Sequence, residues 1–541
     1  MGILALASSI LNLDDRLHQW LISAVALDLL LITTLSSPNI IGWDIHEEYF
    51  LFSQTLMNGF WNPATNVFYN SALSVTILPA IISELTGLDG DLIFKLVYPA
   101  IYSLAPVVLY TLYKNIVPPK TAFVSVLFLL FYPPSYEELS ALGRQEVGEL
   151  ILVLLILMLL NSRTHFSLQD RFVIVLLTLG LVISHYSLTY LYMLFLLSTW
   201  ILSRITGRVL GLTRLPTIAL TFAIALLWYF YVAGGAAGVA LSTFVIGLAS
   251  TFLADFLNPA SRPMVTMQAF GLETVTAGAL HEIYRLIQYT VLGSLSVGFL
   301  AFAWKRGKNA IETEFLGMMT VASLLLAVSV LVPFFAAGLN FTRIVQVALV
   351  FLSPCFGIGA GKIESTIRKG ALLLRHQTGI NSYRPRLAAT ILFCYLLFTS
   401  GWIWAVSLDA PTSLALDWQR MSRSSDLFVR VEYFQEFTVP QDRDGAQWFG
   451  HYVPREFSAC ADFVSRTHAL ASYGGLGTPA KGNYPSPPNC DFSRGEYLYL
   501  SVLNEIYGVG TDGNSIWNIT LSMYTKNNRI YSNGGAAIYS P

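Results

Sequence analysis

The chain has 541 residues, of which 54% are hydrophobic and only 12% are charged, and its mean hydropathy is +0.57. Charged residues normally make up about a quarter of a soluble domain, so this composition excludes a soluble globular protein and predicts a polytopic membrane protein. The net charge of -1 says nothing about partners, because the positions of the charges matter. The sequence contains no basic tract and no nucleic-acid-binding module, so we expect no nucleic-acid partner.

The apolar runs predict about eleven membrane-spanning helices, because a span needs about 20 mainly apolar residues. The first, Leu17–Ser36, follows Asp14, Asp15 and Arg16 and is long enough to remain as a span instead of being cleaved as a signal. We place the others at residues 92–113, 121–134, 147–160, 171–184, 187–203, 215–236, 286–304, 313–335, 343–361 and 387–408.

The first outer loop has an acidic character that needs an explanation. Residues 37–94 contain no Lys or Arg, and the stretch Gly42–Phe50 holds Asp44, His46 and Glu47 just beyond the first span. One interpretation is the floor of an active site. The alternative is that Asp44 caps a helix, with Glu47 completing a box-like cap. We predict two helices in this loop, residues 46–60 and 71–87, that lie along the outer interface without crossing.

The distribution of positive charge predicts the orientation of the chain. With these spans, one set of alternate loops carries about sixteen Lys and Arg and the opposite set about five, which is a positive-inside pattern. The N-terminus is therefore expected in the cytoplasm and the chain in the cell membrane. We divide it into a transmembrane domain, residues 1–408, and an extracytoplasmic soluble domain, residues 409–541.

The predicted outer domain combines strand-like and helical patterns. Glu496–Leu500 alternates polar and apolar residues, as a strand does, whereas Gly445–Tyr452 and Arg455–Leu470 suggest helices. We predict a small mixed α/β domain, because about 130 residues are enough for a core of its own.

The four cysteines separate by their surroundings. Cys355 and Cys394 lie in apolar runs and are expected to be buried thiols. Cys460 and Cys490 lie in the polar tail, where a disulfide is expected if the tail faces outward.

Many polar residues fall at the outer ends of the predicted spans or in the outer loops. An ionised group near the middle of a bilayer costs roughly 2.5–3.5 kcal/mol, so such groups tend to face one another or a wet cavity. We therefore predict one shared pocket at the outer face. Its candidate residues are Asp44, His46, Glu47, Tyr136, Glu137, Glu138, Arg144, Glu146, Glu149, His185, Tyr186, His281, Glu282, Arg285, Asn340 and Arg343.

Each group also has an interpretation without function. Arg144, Glu146 and Glu149 would form an internal ion-pair set, and His185 would bond backbone groups freed at a helix break. The helix start around Arg285 would simply be solvated, and Arg343 would reach lipid headgroups.

Short motifs resemble the GT-C superfamily of membrane glycosyltransferases. The common features are the acidic residue after the first span, the two interfacial helices and the basic residue at a later outer span end. The segments Ser184–Ser187, Asn340–Arg343, Leu352–Pro354 and Tyr531–Gly535 resemble an archaeal membrane family placed in that superfamily. The chain departs from the paired acids of several members, because Asp44-Ile45-His46-Glu47 stands where Asp-Asp or Asp-Glu is found.

This resemblance implies an α-helical GT-C-like bundle and a cell-envelope enzyme whose donor is a sugar on a polyprenyl phosphate. The acceptor would be a glycan, a lipid or a protein. Asp44 would take the acceptor's proton, helped by Glu47. His46 and Glu47 would otherwise bind a divalent metal such as Mg or Mn, and this choice stays open. The donor phosphate would be held by Arg343 first, because a guanidinium grips two phosphate oxygens. The further donor-binding candidates are Arg144, Arg285, His185, Tyr186 and Asn340.

Two other functions fit a bundle with buried polar groups. A transporter or flippase of a lipid-linked saccharide often shows internal repeats and polar sites at mid-depth. This sequence shows no repeat between its halves, and its polar groups gather at one face. A non-catalytic surface scaffold would tolerate changes at Asp44 and Arg343. A protease or hydrolase is not supported, because the His-Glu-x-x-His and Gly-x-Ser-x-Gly patterns are missing from the sequence.

Overall fold

A computed structural model gives the fold of the chain. The described residues are 2, 15–65, 68–161, 167–206, 215–258, 261–262, 278–304, 310–336, 340–375, 386–409, 413–454, 457, 459–477, 486–487, 489–490, 492, 495–513, 515–520, 524 and 527–541.

The membrane part is a helical bundle. Its helices are α1 (Asp15–Thr34), α2 (Asp44–Asn58), α3 (Ile77–Thr86), α4 (Gly90–Lys114), α5 (Pro119–Leu130), α6 (Gly143–Asn161), α7 (Leu168–Ser184), α8 (Tyr186–Thr206), α9 (Leu215–Val232), α10 (Ala236–Asp255), α11 (Ala279–Trp304), α12 (Ala310–Leu331), α13 (Phe341–Arg375), α14 (Arg386–Thr399) and α15 (Trp402–Ser407). Helix α4 contains a π-helical segment, Ile93–Val97.

Eight of the described helices are long and apolar enough to cross a membrane: α1, α4, α8, α9, α10, α11, α12 and α13. Helices α5 and α14 are apolar but shorter, and α6 begins with the charged residues Arg144, Glu146 and Glu149. Every predicted span but one falls on a single helix, although the helices shift its ends by several residues. The exception is 387–408, which is divided between α14 and the short helix α15. The number of crossings, about eleven, stays a prediction. The two predicted interfacial helices correspond to α2 and α3.

Helix α10 was missed by the sequence analysis, which treated the residues after span seven as an outer loop. Both of its ends contact the end of the bundle that carries the C-terminal domain, which we call the domain side. The carbonyl of Ala237 accepts a hydrogen bond from Tyr190 at 3.1 Å. Beyond its other end, the carbonyl of Ser261 accepts from the amide of Phe334 at 2.9 Å, just before α13 begins. Helix α10 therefore starts and ends on one side, so it does not reverse the direction of later helices.

Helices α11 and α13 approach each other so closely that glycine is required at their crossing. A Cβ atom at Gly298 would lie 1.8 Å from the carbonyl oxygen of Cys355. One at Gly359 would lie 1.8 Å from the carbonyl oxygen of Ser294. Because any side chain would push the two backbones apart, these glycines hold α13 in the bundle and place its domain-side end.

The C-terminal domain combines short helices with a small sheet. Its helices are α16 (Leu414–Ser422), α17 (Leu427–Glu436), α18 (Pro440–Tyr452), α19 (Phe463–Thr467), α20 (Ala469–Ser472) and α21 (Val502–Glu505). Its strands are β1 (Ala459–Cys460), β2 (Tyr497–Leu500), β3 (Val509–Thr511), β4 (Ile516–Asn518), β5 (Asn528–Ser532) and β6 (Ala537–Ser540).

The four-stranded sheet has the order β1-β2-β6-β5, in which only β1 and β2 run parallel, and β3 pairs with β4 separately. The predicted strand at 496–500 is β2, and the predicted helix at 445–452 is part of α18. The helical pieces predicted within 455–470 are confirmed in part, because this segment contains α19 and the start of α20, but Ala459–Cys460 is strand β1 instead. A disulfide joins Cys460 in β1 to Cys490.

The domain is attached to the segment that leads into α2. The amide of Asn39 donates to the carbonyl of Thr438 at 2.8 Å, and Ile41 forms an antiparallel bridge with Phe437. The indole of Trp43 donates to Glu436 at 2.9 Å. These contacts place the domain directly above α2.

Candidate active site

Helix α2 begins with a tight turn at Gly42. Gly42 has a φ of +106°, and a Cβ atom there would lie 2.3 Å from the Cβ of Ala141. Trp43 occupies the N-cap position and makes no side-chain cap bond. Asp44 is therefore the first residue of the helix, and the alternative that it caps the helix was wrong. Its carboxylate is used elsewhere.

Asp44 joins two arginines from different helices. One oxygen, Oδ2, accepts from Arg144 of α6 at 2.8 Å and from Arg343 of α13 at 2.9 Å. Arg144 also donates to Glu48, one turn further along α2. The side chains of Arg144 and Glu48 are almost fully buried, whereas those of Asp44 and Arg343 are 17% and 28% exposed. The three helices therefore meet in an ion-paired cluster that is open on the Arg343 side.

The charge state of Asp44 follows from this arrangement. Burial alone would raise its pKa, but the guanidinium groups of Arg343 and Arg144 outweigh burial and hold the pKa well below its usual range. Asp44 is thus ionised at neutral pH and is a weak proton acceptor while both arginines hold it.

A cavity of about 340 Å³ opens beside this cluster. Its polar lining consists of Asp44, Arg144, Gln145, His185, Ser187, Asn340 and Arg343. Its aromatic and apolar lining consists of Phe68, Tyr69, Tyr186, Leu188, Tyr190, Leu191, Ala237, Ala240, Leu241, Phe244, Ile344 and Val347. The lining therefore combines cationic and hydrogen-bonding groups with aromatic and apolar side chains, and α10 contributes four of the apolar ones.

Each of the two arginines has one buried donor without a partner in the described part of the chain. The buried Nε atoms of Arg144 and Arg343 have no hydrogen-bond partner among the described residues. The Nε2 atom of His185, which also lines the cavity, is likewise unpaired within the described part of the chain. These three atoms are inaccessible, so the preference of the cavity for an anionic, oxygen-rich ligand rests on the positive charge of the two guanidinium groups that line it.

A polar turn places Arg343 at the cavity. Asn340 adopts a left-handed φ of +60°, and its Oδ1 accepts from the amide of Thr342 at 3.2 Å. The hydroxyl of Thr342 lies 2.7 Å from a carboxylate oxygen of Glu138. This turn ties the start of α13 to the loop before α6, so the two arginine-bearing helices share one support.

His185 and Tyr186 stand at the break between α7 and α8. The Nδ1 of His185 accepts from the amide of Leu188 at 3.2 Å, so the structural interpretation of His185 is also correct. The guanidinium carbon of Arg144 lies 4.2 Å from the ring centre of Tyr69 and 5.8 Å from the ring centre of Tyr186. Aromatic faces of this kind stabilise the buried cation.

Of the sixteen sequence candidates, six line the cavity, namely Asp44, Arg144, His185, Tyr186, Asn340 and Arg343, and the prediction of one pocket shared by all sixteen was wrong. Glu47, His46 and Arg285, which had been given roles at the site, are among the ten that lie outside its lining. Glu47 is buried, and its Oε1 has no partner among the described residues. His46 faces the C-terminal domain, where it bonds Ser472 and stacks on His468 at 4.5 Å. Arg285 pairs with Glu282 of its own helix at 3.1 Å, as the solvated-helix interpretation predicted.

A divalent metal does not fit the arrangement predicted from His46 and Glu47. The described residues contain no group of three or more His, Cys, Asp or Glu side chains placed to hold a metal ion. Both guanidinium groups compete for Asp44, and His46 is directed to Ser472. We therefore assign no step to a metal.

Several residues of the site were not among the sequence candidates. Glu48 binds Arg144, and Gln145 and Tyr69 line the cavity. A signal for Glu48 was present, because residues four apart share a helix face and Glu48 follows Asp44 by one turn. Tyr69 had no such signal, since it reaches Arg144 only through the tertiary fold.

Residues 170–539 match the model of a family described as a predicted membrane protein, DUF2206. This match covers more than half of the 541 residues. The chain belongs to this family. His185, Tyr186, Asn340 and Arg343 lie within the matched range, whereas Asp44 and Arg144 precede it. No curated protein matches the chain.

Two solved structures show a weak similarity to the DUF2206 protein. The oligosaccharyltransferase of Archaeoglobus fulgidus, in a complex with zinc and sulfate, is 13% identical, with a TM-score of 0.47 over 90% of this chain and 68% of that one. ArnT from Cupriavidus metallidurans, bound to undecaprenyl phosphate, is 11% identical, with a TM-score of 0.47 over 96% and 97%. At this level of similarity, neither structure tells what this chain binds or catalyses.

Proposed function

We propose that the protein is a membrane glycosyltransferase that transfers a sugar from a polyprenyl-phosphate donor to a glycan, lipid or protein acceptor on the outer face of the membrane. The observation that supports this most strongly is the pair Arg144 and Arg343, which meet at one carboxylate oxygen and both line the same cavity. A site prepared in this way suits a phosphate group.

The donor phosphate would bind where Asp44 now joins the arginines. Guanidinium groups form forked, charge-assisted bonds to phosphate oxygens, so Arg144 and Arg343 can hold the group and stabilise the charge that grows on it as the sugar leaves. Arg343 is the more accessible of the two, with 28% of its side chain exposed against 2% for Arg144. We expect Arg343 to make the first contact.

The apolar side chains that line the cavity suit the lipid chain of such a donor. Ala237, Ala240, Leu241 and Phe244 of α10 line the cavity, while Ile246 and other apolar residues of the same helix are exposed on its outer surface. An apolar helix that is exposed on one side and lines the cavity on the other is suited to contact with lipid, so a polyprenyl chain could lie along it without crossing a polar barrier.

The transfer requires one proton acceptor. The acceptor hydroxyl or amide would attack the anomeric carbon and form the new glycosidic bond, while the bond between that carbon and the phosphate oxygen breaks and its electron pair remains on the phosphate. The acceptor proton would pass to Asp44, whose basicity rises once the phosphate takes over the two guanidinium groups. The products are the glycosylated acceptor and the lipid phosphate.

The experiment is a lipid analysis of cells with and without the gene. We expect mass spectrometry of extracted lipids to show an accumulated polyprenyl-linked sugar in the deletion strain, removed by the wild-type protein but not by the R343Q variant. R368Q is the matched control, because Arg368 lies on the same helix α13 and pairs with Glu364 far from the cavity. If the polyprenyl-linked sugar accumulates on only one face of the membrane and sugar transfer to the acceptor is retained, the protein is instead a flippase. An unchanged lipid profile would contradict the proposal.

A further inference from the structure

A ring of three buried side chains, which the buried hydroxyl of Tyr102 also contacts, lies close to the two arginines. Gln145 donates from its amide to Oε1 of Glu149 at 2.7 Å and to Oε1 of Gln346 at 2.8 Å. Gln346 donates in turn to Oε2 of Glu149 at 3.2 Å. All three side chains are buried, with residue exposures of 2–3%. Both carboxylate oxygens of Glu149 are thereby used as acceptors.

The ring connects the two helices that carry the arginines. Gln145 and Glu149 belong to α6 and follow Arg144, whereas Gln346 belongs to α13 and follows Arg343 by one turn. Among these three residues, the two hydrogen bonds between α6 and α13 both end on Gln346. A change in the spacing of the helices would stretch these bonds before it separated the arginines.

We propose that Glu149 is a positioning residue that sets the distance between Arg144 and Arg343, so that both guanidinium groups reach one phosphate. The side-chain amides of Gln145 and Gln346 can each take only one orientation in this ring. Glu149 accepts from both glutamines, and Gln145 uses both of its amide hydrogens. Buried polar groups that are fully paired in this way fix the geometry of the groups above them. This inference rests on the proposed function only for the identity of the phosphate ligand.

The ring also predicts which substitution repairs it. In E149Q all three side chains of the ring are amides. If the side chains keep their positions, every choice of amide orientations leaves one contact at which two N–H groups or two C=O groups face each other. In the double variant E149Q/Q346E the carboxylate sits on α13, so Gln145 and the new glutamine can both donate to it. All three bonds return with the charge moved to the other helix.

The experiment measures the affinity of the purified full-length protein in nanodiscs for a short-chain polyprenyl monophosphate. We expect E149Q to raise the Kd about tenfold, the order found when outer-shell groups of a charged site are changed, and E149Q/Q346E to return it to within about threefold of wild type. E364Q, on α13 at the far end from Arg343, is the matched control and should bind as wild type does. Melting temperatures of all variants report folding separately.

Four results decide the matter. Wild-type affinity in E149Q, or a double variant that binds as weakly as E149Q, would overturn the positioning role. If E149Q does not fold, the double variant decides alone: near-wild-type binding supports the proposal and weak binding contradicts it. If R343Q also binds the lipid phosphate as well as wild type does, the proposed function fails, and not only the role of Glu149.

Discussion

Helix α2 has two faces that serve different parts of the molecule. On one face, Asp44 and Glu48 bind arginines of the membrane bundle. On another, His46 bonds Ser472 and stacks on His468 of the C-terminal domain. The comparison shows that residues adjacent in an acidic sequence motif need not share a site, because neighbouring residues on a helix point about 100° apart.

The two faces also differ in charge. The face toward the cavity is ionic and partly exposed, and Asp44 remains ionised there beside its arginines. The face toward the domain is neutral, because burial lowers the pKa of His468 to about 3 and lowers that of His46 as well, with a further contribution from His468. The first face is suited to binding a charged ligand, whereas the second holds the domain in place.

The largest expected effect is on the cavity face. The substitution D44N keeps the size of the side chain but removes its charge and its capacity to take a proton. We expect sugar transfer to fall by a factor of about 10² to 10⁴, the usual contribution of a positioned base. The donor-lipid level in a strain complemented with D44N measures this fall. A D44N strain with the wild-type lipid profile would show that Asp44 has no catalytic role.

A smaller effect is expected at Glu47, between the two faces. Burial and the nearby charge of Asp44 raise its pKa to about 7 from 4.5. The folded state therefore holds a proton that the unfolded state releases, so stability is present at low pH and is lost as the pH rises toward and through 7. E47Q should remove that loss, which is at most about 3 kcal/mol. Melting curves at pH 6 and 8.5 test this: equal pH dependence in E47Q and wild type would contradict it.

The smallest effect is expected on the domain face. His468 stacks on His46 and lies edge-on to Trp43, and neither of its ring nitrogens has a hydrogen-bond partner in the described part of the chain. Because its pKa is lowered in the folded state, His468 takes up a proton in the unfolded state below about pH 6.5 while it stays neutral in the folded state. The protein therefore loses stability as the pH falls below this value. H468F keeps the ring and should recover about 2 kcal/mol at pH 5. If the stability of H468F falls as steeply toward low pH as that of the wild type, this prediction is contradicted.

The sequence was most informative where membrane physics leaves few alternatives. Charges are costly in lipid, so Asp44, Arg144 and Arg343 were expected to meet at one wet face, and the structure brings them together. Hydropathy also identified the long helices. The exception is α10, whose residues were assigned to an outer loop although they are as apolar as the predicted spans. Hydropathy alone would also not have shown that both ends of this helix lie on one side.

The remaining parts of the site depend on tertiary contacts that have no local signal. Arg285 and Arg343 both stand at domain-side helix ends, yet only Arg343 reaches Asp44, since Arg285 is satisfied by Glu282 one turn away. The ring at Glu149 needs Gln346 from a helix almost 200 residues later, as the sequence separation of 197 shows. Such pairings require the fold itself.

The most direct measurement compares the affinity of D44N and R343Q for a short-chain polyprenyl monophosphate in nanodiscs. If the phosphate takes the place of Asp44 between the arginines, D44N removes a competing anion and should bind as tightly as wild type or more tightly, while R343Q should bind at least about tenfold more weakly. Equal affinity in all three proteins, or loss of affinity in D44N with none in R343Q, would contradict the account.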